Sequence, residues 1–214
     1  MMVPMHAIER HRKPRGLGHE RRGEILAAAK EMFVTEGYET VTTRRLADRV
    51  GISQTGLYVY FKSKEEILDA LCRITFVRLA ERLREVEAEA APGEAVLKRL
   101  IEAYVQFGVE NPDEYRITFM VGHGAKPGHK KDLSLPPEDL GPGMQAFFSF
   151  RDQIARIREA EGSSADDLDV AAEVIWASMH GLVAALIAGV AFPWFGTREQ
   201  LTDTLGTALI RGLR

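Results

Sequence analysis

Residues 42–65 read TTRRLADRVGISQTGLYVYFKSKE, a run in which two short helical patterns are separated by a tight turn. The first pattern begins after a threonine that can cap a helix, either Thr42 or Thr43, and its apolar residues recur on one face. Gly51 then permits a turn, and Ser53 can cap the second helix. Helices this short gain little from core burial alone, so we expect the pair to present side chains to a partner.

The second short helix, predicted from Gln54 to about Tyr60, has the polar surface of a helix that enters the major groove of DNA. Glutamine can pair with adenine, threonine can meet a thymine methyl, and tyrosine hydroxyls suit phosphate oxygens. Gly56 removes a side chain where the backbone must approach closely, and Lys64 could anchor the far strand. The residues expected to contact DNA are Thr42, Thr43, Arg44, Arg45, Gln54, Thr55, Gly56, Tyr58, Tyr60 and Lys64.

The chain around this helix pair divides into three predicted parts. Residues 1–19 are rich in Arg, Gly and Pro without apolar periodicity, which predicts a flexible basic arm. A helix from Arg21 to a stop at Gly37 completes a helix-turn-helix domain at 20–66. The rest, 67–214, is predicted to be a larger helical domain, so the class is all-α. Its helices are a long one that is capped by Ser63 and ends before Pro92, then segments at about 94–110, 112–122, 137–160, 167–190 and 198–213.

The run from Gly56 to Lys64, GLYVYFKSK, and the residues before it resemble the DNA-binding signature of the tetracycline-repressor (TetR) family. The resemblance is close over residues 20–70, although Tyr60 stands where many relatives have histidine. It implies an Ω-shaped homodimer that reads a palindromic operator and releases DNA when its C-terminal domain binds a small molecule. A second similarity, Trp176 followed by His180-Gly181, is found in one subgroup of these effector domains.

Aromatic residues and methionines are abundant on the helices predicted for 67–214. A ligand pocket needs mainly apolar walls with a few polar groups, so we expect a hydrophobic or aromatic effector. His180 on an apolar helix also fits an ordinary core histidine with one satisfied nitrogen. The residues expected to line the pocket are Tyr104, Phe107, Tyr115, Phe119, Phe147, Trp176, Met179 and His180.

Small and apolar residues crowd the last two predicted helices, at 167–190 and 198–213. Such residues allow close helix crossings, and one pair from each of two chains would make a four-helix dimer interface. A dimer also suits two DNA half-sites. Because the long helix from Lys64 joins both domains without a flexible linker, we expect a ligand to act by shifting that helix.

Charge and composition bound the remaining possibilities. Residues 1–64 hold 12 Lys and Arg against 7 Asp and Glu, and the remainder holds 16 against 24, so the basic part is expected to meet the polyanion. The single cysteine, Cys72, and the absence of a signal-like stretch favour the cytoplasm, and no membrane segment is expected. His123 and His129 lack clustered ligands, so no metal and no cofactor are expected.

Three alternatives to a ligand-responsive regulator can be compared with the sequence. Catalysis has no nucleophile, metal cluster or phosphate-binding loop that we can assemble, so no enzyme is expected. Residues 42–64 could form a structural three-helix bundle without affinity for DNA, but the adjacent basic arm disfavours this. The chain could also be a constitutive DNA-binding dimer whose C-terminal domain only dimerises or docks a protein, against which the excess of aromatic residues argues mildly.

Overall fold

The structure, a computed structural model, describes residues 18–89, 93–121, 140–162, 167–189 and 193–213. Every regular element in these ranges is helical, which confirms the all-α class. The predicted arm, apart from its last two residues, lies outside the described residues, and so do both loop histidines considered as metal ligands. The chain forms two compact units, one of Met1–Cys72 with Asp113–His123 and the other of Arg73–Pro112 with Gly124–Arg214.

The first unit begins with α1 (Gly18–Glu36), which starts three residues before the predicted position. Its buried face carries Ile25, Ala29, Met32 and Phe33, which recur at helical spacing. The helix ends at the expected glycine, whose φ of 86° is a left-handed conformation that costs a residue without Cβ little.

The two short helices are α2 (Thr43–Arg49) and α3 (Gln54–Tyr58), and both have predicted caps. The hydroxyls of Thr42 and Ser53 accept hydrogen bonds from amides three residues further on, at 3.3 and 3.0 Å. Helix α3 ends two residues earlier than predicted, because the next amides close a tight turn on the Leu57 carbonyl.

The long helix α4 (Lys64–Ala88) begins where the sequence predicts. The Ser63 hydroxyl accepts from the Glu66 amide at 3.2 Å, and the Glu66 carboxylate accepts from the Lys62 amide at 2.6 Å. This reciprocal arrangement satisfies two amides that would otherwise lack partners at the helix start. The division between the two units falls inside α4, after Cys72.

The segment predicted as one helix at 112–122 is two short elements, α6 (Pro112–Tyr115) and a π-helix (Arg116–Met120). The wider turn arises because the amide after the π-helix bonds to a carbonyl five residues back, at 2.9 Å. From Asp113 onwards both elements belong to the first unit, where an ion pair of 2.9 Å joins Lys30 of α1 to Glu114.

The second unit contains α5 (Glu94–Glu110), α7 (Pro142–Ala160), α8 (Leu168–Ile187) and α9 (Arg198–Arg211), together with the later turns of α4. Helix α5 is central, since it packs against each of the other three. Its fully buried side chains meet those of α7 and α8 in an apolar core. The core includes Leu97, Leu100, Ile101, Ala146, Phe150, Ile154, Ala172, Ile175, Met179 and Val183.

Helix α8 is the most apolar element that the structure describes. By length and composition it could cross a membrane, and such a helix is equally typical of a soluble protein's core. The sequence places its strongest apolar run later, from Val183 to Phe195, but the helix ends at Ile187. Among the described residues, 28% of its most apolar window is buried, and the other positions are half-buried or exposed.

Candidate functional site

The turn between α2 and α3 fixes the angle at which α3 is presented. Gly51 adopts a φ of 68°, and the Ile52 amide donates to the Ala47 carbonyl at 3.0 Å. Leu46 of α2 and Leu57 of α3 are at most 1% exposed, so the two helices share one apolar core. Because α3 is fixed by this turn and by the shared apolar core, its opposite face points to the outside of the unit.

Three predicted DNA-contacting residues meet on this outward face. The Gln54 side-chain amide donates to the Thr43 hydroxyl at 3.1 Å and to the Tyr58 hydroxyl at 3.4 Å. The two hydroxyls are themselves 3.3 Å apart. All three atoms lie at the surface, so the cluster orders hydrogen-bonding groups where a base edge or phosphate could be received.

The other predicted residues of α2 and α3 have different surroundings. Thr55 and Arg44 are exposed, and no described residue pairs with Arg44. Arg45 is instead held by the Glu36 carboxylate and by the Thr40 carbonyl at 3.4 Å. Arg44 is therefore the arginine of this pair that is available to a phosphate.

Gly56 has a structural reason to be glycine that the sequence interpretation missed. A Cβ at this position would lie 3.2 Å from the Ser53 hydroxyl, which caps α3. A larger residue would thus press on the cap. Whether DNA also approaches Gly56 stays a prediction.

The Lys64 side chain and the Tyr60 backbone carbonyl both form hydrogen bonds within the first unit. The Lys64 ammonium donates to the Tyr38 carbonyl at 2.8 Å and lies 4.1 Å from the centre of the Tyr38 ring. Burial and the neighbouring Glu65 carboxylate raise the pKa of Tyr38 to about 12. The Tyr60 carbonyl accepts from Arg22 at 2.9 Å. Both predicted residues therefore stabilise the first unit, whatever they do with DNA.

One exposed residue of this surface was absent from the predicted set. Val59 follows α3 directly and is 78% exposed, although it is β-branched and apolar. An aliphatic side chain beside Tyr58 could pack on a thymine methyl group. The available signal was its position between two tyrosines in a segment whose inward residues are Leu57 and Phe61.

In the second unit, several predicted pocket residues form one aromatic cluster. The ring of Trp176 lies 5.2 Å from Tyr104, 5.3 Å from His180 and 6.0 Å from Phe147, measured between centroids. Phe150, which was left out of the predicted pocket, lies 5.9 Å from Trp176 and is fully buried. Such tilted and edge-on contacts are favourable aromatic geometries.

Tyr104 and His180 form a polar pair within the cluster. The Tyr104 hydroxyl and His180 Nδ1 are 2.8 Å apart. Burial lowers the pKa of His180 to about 4, so the imidazole is neutral near pH 7. The pair places a phenol and a neutral imidazole among aromatic walls.

The remaining predicted pocket residues are not part of these ring contacts. Met179 is fully buried, and Phe107 is packed beneath Arg78 at 5.7 Å, beside a polar groove of about 290 Å³. The rings of Tyr115 and Phe119 contact each other within the first unit in a tilted arrangement, with their centroids 4.6 Å apart. Among the described residues no group of His, Cys, Asp or Glu is arranged to hold a metal ion.

A three-helix unit that supports a short, capped, outward-facing helix defines the class of helix-turn-helix DNA-binding proteins. Residues 25–71 match the family model for bacterial regulatory proteins of the tetR family, and residues 97–209 match the model for the tetracyclin repressor-like C-terminal domain. The chain belongs to the TetR family. It is a DNA-binding transcriptional regulator, and this is a family of regulators rather than enzymes.

Individual relatives agree with this assignment. The chain is 33% identical over 100 residues to the transcriptional activator FasR of Mycolicibacterium smegmatis, a match that covers 47% of this chain and 46% of FasR. It is 26% identical to the transcriptional regulator PksA of Bacillus subtilis, over 79% of this chain and 80% of PksA. The fold resembles that of FadR from Bacillus subtilis in complex with stearoyl-CoA, with a TM-score of 0.62, 17% identity and coverage of 89% and 96%.

Proposed function

We propose that the protein is a homodimeric repressor that leaves a palindromic operator when a small apolar or aromatic ligand enters the second unit. The observation that carries this proposal is the aromatic cluster around Trp176, with Tyr104 and His180 as its polar pair. Apolar walls with a few oriented polar groups are typical of small-molecule sites. The same hydrogen bond also satisfies one nitrogen of an ordinary core histidine, and the ligand titration described below separates the two interpretations.

The chemistry of the cluster favours an uncharged group at its polar end. A neutral imidazole and a phenol can exchange hydrogen bonds with a carbonyl or hydroxyl, but neither supplies a charge to offset a carboxylate. Phe147 and Trp176 would contact the apolar part of the ligand. Because FadR has this fold and was crystallised with stearoyl-CoA, acyl-CoA thioesters belong among the probes.

The proposed path from ligand to DNA is α4. This helix runs without a break from Lys64, at the edge of the DNA-binding unit, into the ligand-binding unit. A ligand that shifts α4 would change the separation of the two α3 helices in the dimer. Spin labels at the exposed Lys62 of each protomer would measure that separation, and identical distances with and without bound ligand would refute this path.

Tryptophan fluorescence tests the ligand site directly. The chain has two tryptophans, so a Trp194→Phe variant leaves Trp176 as the sole reporter. Titration with a panel of apolar compounds, including an acyl-CoA, is expected to change its emission and to raise the melting temperature. A compound that does both should also dissociate the protein from operator DNA.

The role of the polar pair is tested by Tyr104→Phe in the same Trp194→Phe background. It keeps the ring packing but removes the hydroxyl that meets His180, so affinity for a polar-headed ligand should fall about tenfold or more. If no compound changes emission or melting while the protein still binds DNA, the ligand-responsive proposal fails and a constitutive DNA-binding dimer takes its place.

A further inference from the structure

Helix α3 is followed by a tight turn whose carbonyls need partners from other elements. The amides of Tyr60 and Phe61 close this turn on the Leu57 carbonyl, at 2.9 and 3.1 Å. Carbonyls at the end of a helix lack partners within the helix itself. Because α3 has only five residues, its own hydrogen bonds are too few to fix its orientation, and neighbouring elements must hold its ends.

Arg22, near the start of α1, bonds to this turn in two ways. Its guanidinium donates to the Tyr60 carbonyl at 2.9 Å. The same group lies over the Phe61 ring, with Cζ 4.0 Å from the ring centre. Phe61 is fully buried, so the arginine is held against a fixed apolar surface while it donates the hydrogen bond. A planar guanidinium can make both contacts at once, whereas a lysine ammonium cannot lie flat on a ring.

The preceding arginine makes the corresponding contact with the other short helix. Arg21 donates to the carbonyl of Val50, the residue that ends α2, at 3.3 Å, and to the Glu24 carboxylate at 2.7 Å. A positive charge near the C-terminal end of a helix is favourable. Two consecutive side chains of α1 therefore bond to the chain at the ends of α2 and α3, and Arg22 is the one that bonds beyond α3.

The orientation of α3 determines where its outward side chains point. Gln54 and Tyr58 belong to this helix, which follows the Gly51 turn and precedes the contacts of Arg22. Hydrogen bonds to base edges weaken steeply when donor and acceptor are misaligned, whereas attraction to phosphates depends mainly on charge. A tilt of α3 would therefore reduce the recognition of sequence more than it reduces the general affinity for DNA.

We propose that Arg22 is a positioning residue for DNA recognition. Through the Tyr60 carbonyl and the Phe61 ring it sets the orientation of α3, and thereby the discrimination between operator and other DNA. Arg22 needs no contact with DNA for this role. The role depends on base recognition by α3, but it is independent of the ligand response in the proposed function.

Paired DNA affinities test this role. An operator duplex is first selected from a random DNA library with the wild-type chain, and anisotropy then gives the affinities for that duplex and for a scrambled one. Arg22→Met keeps an unbranched side chain beside the Phe61 ring but loses the hydrogen bond and the charge. At a temperature where it is folded, its ratio of operator affinity to scrambled affinity should fall roughly tenfold or more. Arg22→Lys keeps the charge and can still donate to the Tyr60 carbonyl, so it should recover part of the ratio.

The matched control is Arg49→Met. It also removes a cation and a bond with α1, since Arg49 of α2 donates to Glu31 at 2.6 Å, but this bond does not involve α3 or its turn. Its affinity ratio should equal that of the wild type, and an equal fall in both variants would overturn the proposal.

An unchanged ratio in Arg22→Met would also overturn the positioning role, because a role in stability or charge alone moves both affinities together. If Arg22→Met does not fold, Arg22→Lys decides the question. A ratio below that of the wild type supports the role, and an equal ratio overturns it. A wild-type chain that selects no sequence would instead refute base recognition by α3, and the positioning role with it.

Discussion

At the scale of single residues, backbone conformation limits which substitutions Gly51 tolerates, and burial determines the protonation state of His180. Gly51 has a left-handed φ in the turn that fixes α3, and His180 is kept neutral by burial in the aromatic cluster. Both features are local, and both have consequences that can be measured without knowing the operator or the ligand.

Replacing Gly51 with alanine should destabilise the protein. An L-residue with a Cβ pays about 1 kcal/mol to adopt this conformation, whereas asparagine pays less. Urea unfolding should therefore rank the wild type above Gly51→Asn, and Gly51→Asn above Gly51→Ala. Equal midpoints for the three proteins would show that the turn does not hold this conformation.

His180 should make stability depend on pH. Its folded pKa of about 4 lies below the unfolded value near 6.5, so the neutral form is the one that folding favours. The stabilisation is fully present above pH 6.5 and is lost as the pH falls towards 4. Between pH 7.5 and 5 the free energy of unfolding should drop by about 1 kcal/mol, after allowance for partial exposure.

The control for this pH dependence is His180→Gln, which can still bond to the Tyr104 hydroxyl but does not titrate. Its free energy of unfolding should fall less than that of the wild type over the same interval. A wild type and variant with parallel pH profiles would mean that His180 is solvated in the folded protein.

At the scale of elements, helix α2 carries two adjacent arginines whose surroundings differ. Arg44 is exposed without a described partner, whereas Arg45 is paired with Glu36. The two are adjacent in sequence and were predicted alike, because spacing alone cannot reveal an ion pair with a residue of α1.

We expect Arg44→Ala to weaken DNA binding and Arg45→Ala to affect mainly the first unit's stability. Loss of one phosphate contact should lower the slope of log affinity against log salt by about one. Anisotropy titrations at several salt concentrations would measure both slopes. The reverse outcome, with only Arg45→Ala changing the slope, would show that the Glu36 pair opens on DNA.

The elements that could be predicted are those with local causes. Caps at Thr42, Ser53 and Ser63 are short-range hydrogen bonds that a sequence pattern displays directly. The π-helix could not be predicted, because its wider turn has no comparable local pattern. The grouping of this π-helix with the first unit could not be predicted either, since it depends on contacts between Arg116–Met120 and α1.

At the scale of the whole molecule, the two parts of the chain differ in charge and in the features that they carry. The basic N-terminal part carries the helix-turn-helix, and the acidic remainder carries the aromatic cluster around Trp176. The resemblance in residues 42–65 was enough to predict the family. Which side chains are available to DNA could not be predicted from the sequence, because Lys64 and Arg45 form bonds within the fold while Val59 is exposed.

We propose that the cluster of Thr43, Gln54 and Tyr58 binds operator DNA. Fluorescence anisotropy with DNA flanking the protein's own gene should compare the wild type with a Gln54→Ala, Tyr58→Ala double variant. Lys64 is left intact because it supports Tyr38. We predict salt-sensitive binding by the wild type and a loss of at least roughly a hundredfold in the variant, with unchanged melting temperature. Equal affinity of the two proteins would show that this cluster does not bind the operator.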